Sequence, residues 1–241
     1  HGFDRGTKNN HPLDVYFVGM TEYDSDTHLP EHCLVSPVHI ENPLQKVLES
    51  HQITQLAVAE TVKFGHITYY FNGNSYERAK GEDFLEIKSD TLPFNERPWM
   101  KAAEITDAVL AAMDQTATDG KPKYQFIRIN YAGGDMVGHF GELEPTIVAM
   151  ESIDIQLARL AKKVDQLGGM MVITADHGNA EEVYDPVTNQ PKTSHTTNPV
   201  PCWFYDNTKN KHLYQLKKLD QAGLANVAAT IAQLFNIVDL P

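Results

Sequence analysis

Apolar residues along the chain recur in two rhythms, and the two alternate. Ala102, Ile105, Val109, Ala112 and Met113 stand three or four apart, as do Met150, Ile153, Leu157, Leu160, Val164 and Leu167. That spacing predicts helices turning one stripe toward a core. The second should open with Pro145 at its first position and stop at Gly168-Gly169. Residues 44–50 predict a shorter helix, and residues 224–235 a last one. Between them, runs at 14–20, 55–59, 66–71, 124–131, 170–174 and 200–205 read as strands, the third closed by the turn signal Asn72-Gly73-Asn74. In the fourth, Phe126, Arg128 and Asn130 share one face, and Ile127 and Ile129 the other. Residues 170–174 form the kind of apolar run that is buried on both faces.

This order of elements predicts an α/β layered domain with a largely parallel central sheet. Residues 33–43 hold two prolines and no period, so they read as a linker. The chain opens His1-Gly2-Phe3 without an initiator Met and stops at Asp239-Leu240-Pro241, soon after a helical pattern. A piece excised from a longer protein is therefore expected.

Composition narrows the partners. A formal charge of −12, from 32 acidic and 20 basic residues, lacks the basic face of a nucleic-acid binder. No run approaches the roughly 18 apolar residues of a membrane helix, and no charged-then-apolar signal segment opens the chain. Cys33 and Cys202 make no zinc or redox spacing and suit a reducing cytoplasm.

In open parallel sheets, ligands gather beyond the carboxyl ends of the strands. After residues 124–131 come Asp135-Met136-Val137-Gly138-His139, where flanking glycines would let the backbone bend and carry both side chains inward. After residues 170–174 come Asp176-His177-Gly178-Asn179, and His195 precedes the strand at 200–205. Any one such segment is ordinarily only a turn. Three of them, each at a strand edge, predict a site for one or two divalent ions. Carboxylate with imidazole suits manganese, iron or zinc, whereas magnesium or calcium favours oxygen alone. Lys63 is a surface lysine by default, but at a strand end it is open to phosphate binding. His66 reads as a satisfied strand histidine, and His28, His32, His39 and His51 as solvated. Arg128 is unusual in a buried strand, and its sequence context names no partner.

These three segments resemble signatures of cofactor-independent phosphoglycerate mutases. So do Ala59-Glu60-Thr61 with Lys63, Met20-Thr21 with Tyr23, and Phe71-Asn72-Gly73, in the family's order across nearly the whole chain. The resemblance implies an alkaline-phosphatase-like α/β domain, incomplete in this chain, and a cytoplasmic monomer acting in glycolysis and gluconeogenesis. It implies interconversion of 3-phosphoglycerate and 2-phosphoglycerate through a phosphoserine, with two manganese ions flanking the serine. Carried over residue by residue, Asp135, His139 and His195 would hold one metal, and Asp176 and His177 the other. Lys63 would lie near the transferred phosphoryl. Ala132-Gly133-Gly134 departs from the family, which more often has Asn-Pro or Asn-Gly there.

By the same resemblance, residues 1–36 are the end of the phosphotransferase domain and residues 37–241 the later part of the phosphatase-like domain. The nucleophilic serine, a further metal aspartate and the arginine-rich substrate segments are expected upstream, so the chain alone is expected to be inactive. Two other readings compete: another alkaline-phosphatase relative, such as a phosphopentomutase or phosphodiesterase, and a non-catalytic metal-binding module.

Overall fold

Strand β1 (Gln55–Glu60) is buried at every position, because parallel strands flank it on both edges. Its partners are β2 (Glu82–Ile87) and β3 (Phe126–Ile129), giving the order β2-β1-β3. The computed structural model describes residues 16–22, 29–36, 40–185, 187–209 and 211–238. Expectations at Asp14, Val15, Tyr23, His28, His39, residues 37–39 and residues 239–241 lie outside these. Two compact units divide the chain, residues 1–40 and 41–241.

The alternation of side chains along β1 gives the sheet two unlike faces. Leu56 and Val58 meet Ile105 and Val109 of α3 (Ala102–Met113) and Leu160 of α5 (Leu143–Leu167). Ile127 and Ile129 join this cluster, as their predicted face requires. Ile105 and Val109 are fully buried, and each such side chain contributes about 1.5–3 kcal/mol. On the other face, Ala57 and Ala59 admit Ile67, Phe64 and Phe84. A separate cluster joins α1 (Leu44–Ser50) to α6 (Ala225–Leu234) through Val47, Leu48 and Ala232.

Several expectations need correction. Residues 66–71 are not a strand: α2 (Thr61–Gly65) runs directly into a π-helical turn, His66–Tyr70. Both edges of β1 are already taken, and the Thr68 hydroxyl bonds back to the Phe64 carbonyl at 2.6 Å, as it can only in a helix. The missed strand is β2, whose three acidic residues hide its pattern. Helix α5 starts two residues early, so Pro145 stands third, where its missing N–H still forfeits no helical bond. The α5 stripe is also shifted. Thr146, Ala149 and Gln156 are buried, while Met150 and Leu167 are exposed.

Strand β4 (Met170–Thr174) is half-buried, and pairs antiparallel with β5 (Cys202–Asp206) in a separate two-stranded sheet. In the first unit, residues 16–20 supply only a bridge from Gly19 to Cys33. Among the described residues no helix is long and apolar enough to cross a membrane.

Candidate metal centre

The segment expected to bend at its glycines is a helix, α4 (Gly133–Gly138). Gly133, Gly134 and Gly138 are absent from the positive-φ set, so conformational freedom is not what they supply. They allow close approach: Gly133 to Ala149, Gly134 to the Met150 sulfur, and Gly138 to Asn179. The helix puts Asp135 and His139 four residues apart on one face. The loop before β5 brings His195 to the same point.

Three donor atoms converge there. Asp135 Oδ1 lies 3.0 Å from His139 Nε2 and 3.0 Å from His195 Nε2, and the two nitrogens are 3.1 Å apart. His139 Nδ1 is 2.6 Å from the Thr193 carbonyl. A carbonyl only accepts, so Nδ1 carries the proton, and in the neutral ring Nε2 is left with a lone pair facing the site.

His177 stacks on His195 with ring centroids 3.6 Å apart, and its Nε2 is 4.0 Å from Asp135 Oδ1. The ligand atoms of Asp135, His177 and His195 all fall within 4.8 Å of one another. Asp176 is more exposed and meets His177 Nε2 at 3.6 Å. Lys63, buried on α2, ion-pairs with Asp135 Oδ2. Burial alone would raise the Asp135 carboxyl. The Lys63 hydrogen bond and charge, with Asn179 and His139, outweigh burial and hold it at about 2.

Sequence reasoning missed three residues here. His66 is exposed, one helical turn beyond Lys63, with its ring 5.4 Å from Tyr70. Partial desolvation of the ring and the Lys63 charge lower its pKa, against the opposing pull of Asp176 and Asp135. The β-branched run around it concealed this. Asn179 donates from Nδ2 to the Asp135 carbonyl at 3.3 Å and to Asp135 Oδ1 at 3.1 Å. Glu181 accepts from the Asn179 N–H at 2.7 Å and from Asn198 Nδ2 at 3.0 Å. Neither role carries a local sequence signal, because each depends on which loops meet.

The donor set fits a divalent ion. One ionised carboxylate and two or three imidazoles are the ligands of manganese, iron, cobalt or zinc. The sequence matches the profile of the Metalloenzyme superfamily over residues 12–239. The chain belongs to the Metalloenzyme superfamily.

Relatives of this superfamily member are named as phosphoglycerate mutases. It is 42% identical over 245 residues to a probable 2,3-bisphosphoglycerate-independent phosphoglycerate mutase of Leptospira interrogans, covering 95% of this chain and 42% of the relative. A mutase so named from Trypanosoma brucei brucei is 40% identical, covering 91% of this chain and 41% of the relative. A crystal structure of Leishmania mexicana phosphoglycerate mutase at low cobalt concentration matches with a TM-score of 0.79 and 37% identity. That match covers 90% of this chain and 41% of the other. The superfamily member thus spans about two fifths of the length of these relatives. Its fold is the alkaline-phosphatase-like α/β fold expected from the sequence.

Proposed function

We propose that this chain is a C-terminal portion of a 2,3-bisphosphoglycerate-independent phosphoglycerate mutase and carries most of its two-metal site. The observation that carries this reading is the meeting of Asp135 Oδ1, His139 Nε2 and His195 Nε2 at mutual distances of 3.0–3.1 Å. Mixed carboxylate and imidazole donors suit a divalent ion of the manganese, iron or zinc type, and manganese is the ion proposed here.

In this reading Asp135, His139 and His195 hold one ion, and Asp176 and His177 contribute to the second. Two such ions supply positive charge to the oxygens of a phosphoryl group in transfer. Lys63 places an ammonium beside Asp135, where phosphoryl oxygens would lie. The serine that accepts the phosphoryl group, and returns it to the other hydroxyl of the glycerate, belongs to the three fifths of the relatives' length that this chain does not span. Residues 1–36 then end the phosphotransferase domain and residues 37–241 continue the phosphatase-like one. The proposed setting is a cytoplasmic monomer acting on small phosphoglycerates, which suits the free thiols of Cys33 and Cys202.

Two measurements test this. The chain alone should bind manganese in a titration calorimeter, and His195→Ala should weaken that binding at least about tenfold. By phosphorus NMR the chain alone should leave 3-phosphoglycerate unchanged. Grafted after the upstream part of the Leptospira relative, it should yield 2-phosphoglycerate. Turnover by the chain alone, or a folded, metal-loaded graft without turnover, counts against the proposal.

A further inference from the structure

Two residues outside the proposed ligand set tie together the loops that carry it. We propose that Asn179 and Glu181 are positioning residues of the metal centre: Asn179 orients the Asp135 carboxylate, and Glu181 fixes the loop bearing His195. This rests on the metal-binding reading above.

Asn179 is 4% exposed and gives both its amide donations to Asp135, one to the carbonyl and one to Oδ1. Lys63 takes Oδ2. The carboxylate is therefore held from both ends, and Oδ1 keeps its free side toward His139 and His195. The Asn179 amide oxygen is buried without a partner. A buried oxygen without a partner is unfavourable, so what the amide donates has to offset it. Asn is justified here by its two donations. Gly138 supports the arrangement, since a Cβ there would collide with that amide oxygen.

Glu181 works across a different gap. One carboxylate oxygen accepts the Asn179 N–H, and the other accepts the Thr196 hydroxyl and Asn198 Nδ2. A single side chain therefore joins the loop of His177 to the loop of His195. The backbones touch as well, with Thr196 N–H bonding to the Gly178 carbonyl at 2.9 Å. A Cβ at Gly178 would strike the Thr196 hydroxyl and the Glu181 carboxylate, so glycine there leaves room for their hydrogen bond.

The competing account is that both residues merely brace the loops. Cobalt(II) separates the two accounts, because its visible absorption reports ligand arrangement independently of affinity. Asn179→Leu keeps the approximate shape and removes both donors. It should weaken cobalt binding roughly 10–100-fold and alter the absorption band, beyond what any fall in melting temperature in metal-free buffer accounts for. Glu181→Ala should do the same, and Glu181→Gln, which retains one acceptor, should fall between it and the unaltered chain. Affinity and spectra equal to those of the unaltered chain would overturn the positioning roles and leave the metal site standing. Losses that merely follow lowered melting temperatures, with unaltered spectra, would also overturn them. Failure of the unaltered chain to bind cobalt overturns the metal reading and this inference with it.

Discussion

Asp135→Asn should lower manganese affinity by at least about 100-fold, the largest functional effect expected of any single substitution in the chain. Asp135 is where everything at the centre meets. Its Oδ1 faces three imidazoles, its Oδ2 takes Lys63, and Asn179 fixes it. A neutral amide keeps the shape but is a poor ligand for a divalent ion. It also leaves the ammonium of Lys63, only 10% exposed as a side chain, beside an uncharged group. Adding Lys63→Met to Asp135→Asn should therefore recover stability without recovering manganese. Calorimetry reads the first quantity and urea unfolding the second. Recovery of manganese binding in the double variant would show that Lys63 competes with the metal, and that Asp135 is not its anchor.

The same carboxylate sets a pH dependence with a definite sign. Its folded-state pKa, about 2, lies below the ordinary value of 3.8. The stability it contributes is therefore fully present above about 3.8 and is lost as pH falls toward about 2. Asp135→Asn should flatten that part of the metal-free stability profile.

What the sequence disclosed follows from how local each signal is. The repeats in α3 and α5 and the apolar run of β1 are local patterns, and each element stands within two residues of its expected place, although the buried stripe of α5 is shifted. Asp135 and His139 were legible because one short segment carries both, although the backbone reaches that result through a helical i, i+4 pair and not a glycine bend. Their meeting with His177 and His195 was inferred from the rule about strand ends. It holds even though β4 lies outside the parallel sheet and is only half-buried. Two things stayed hidden. His66 sits in a run that favours strands locally, and only the full edges of β1 exclude that conformation. Strand β2 was concealed by Glu82, an acidic residue that is buried because a partner 46 positions away neutralises it.

That partner is Arg128, and Arg128→Ala should cost about 3–5 kcal/mol, the cost of leaving one member of a buried ion pair unmatched. Burial lowers the guanidinium pKa, and Glu82 opposes the shift. Its contacts reach the elements around it on that face of the sheet. Nε donates to the Ile67 carbonyl at 2.8 Å, and NH2 donates to Glu82 Oε1 at 2.5 Å and to Asn72 Oδ1 at 3.3 Å. NH1 reaches Gln55 Oε1 at 3.4 Å, and the group lies 4.2 Å over the Phe71 ring. Removing Arg128 strands the Glu82 charge, whose other oxygen accepts from the Ala79 N–H and Asn72 Nδ2. It also frees the π-helical turn that follows Lys63, so the damage should reach the metal centre. In a domain of this size the loss corresponds to a fall in melting temperature of roughly 10 °C. Glu82→Gln alone should also destabilise, because it leaves Arg128 unmatched. Arg128→Ala combined with Glu82→Gln should cost clearly less than the two single changes added together, since neither buried charge then remains. Urea midpoints at constant m-value measure all three. Additivity of the two changes would show that the pair is not coupled, and that Arg128 is held by its carbonyl and aromatic contacts alone.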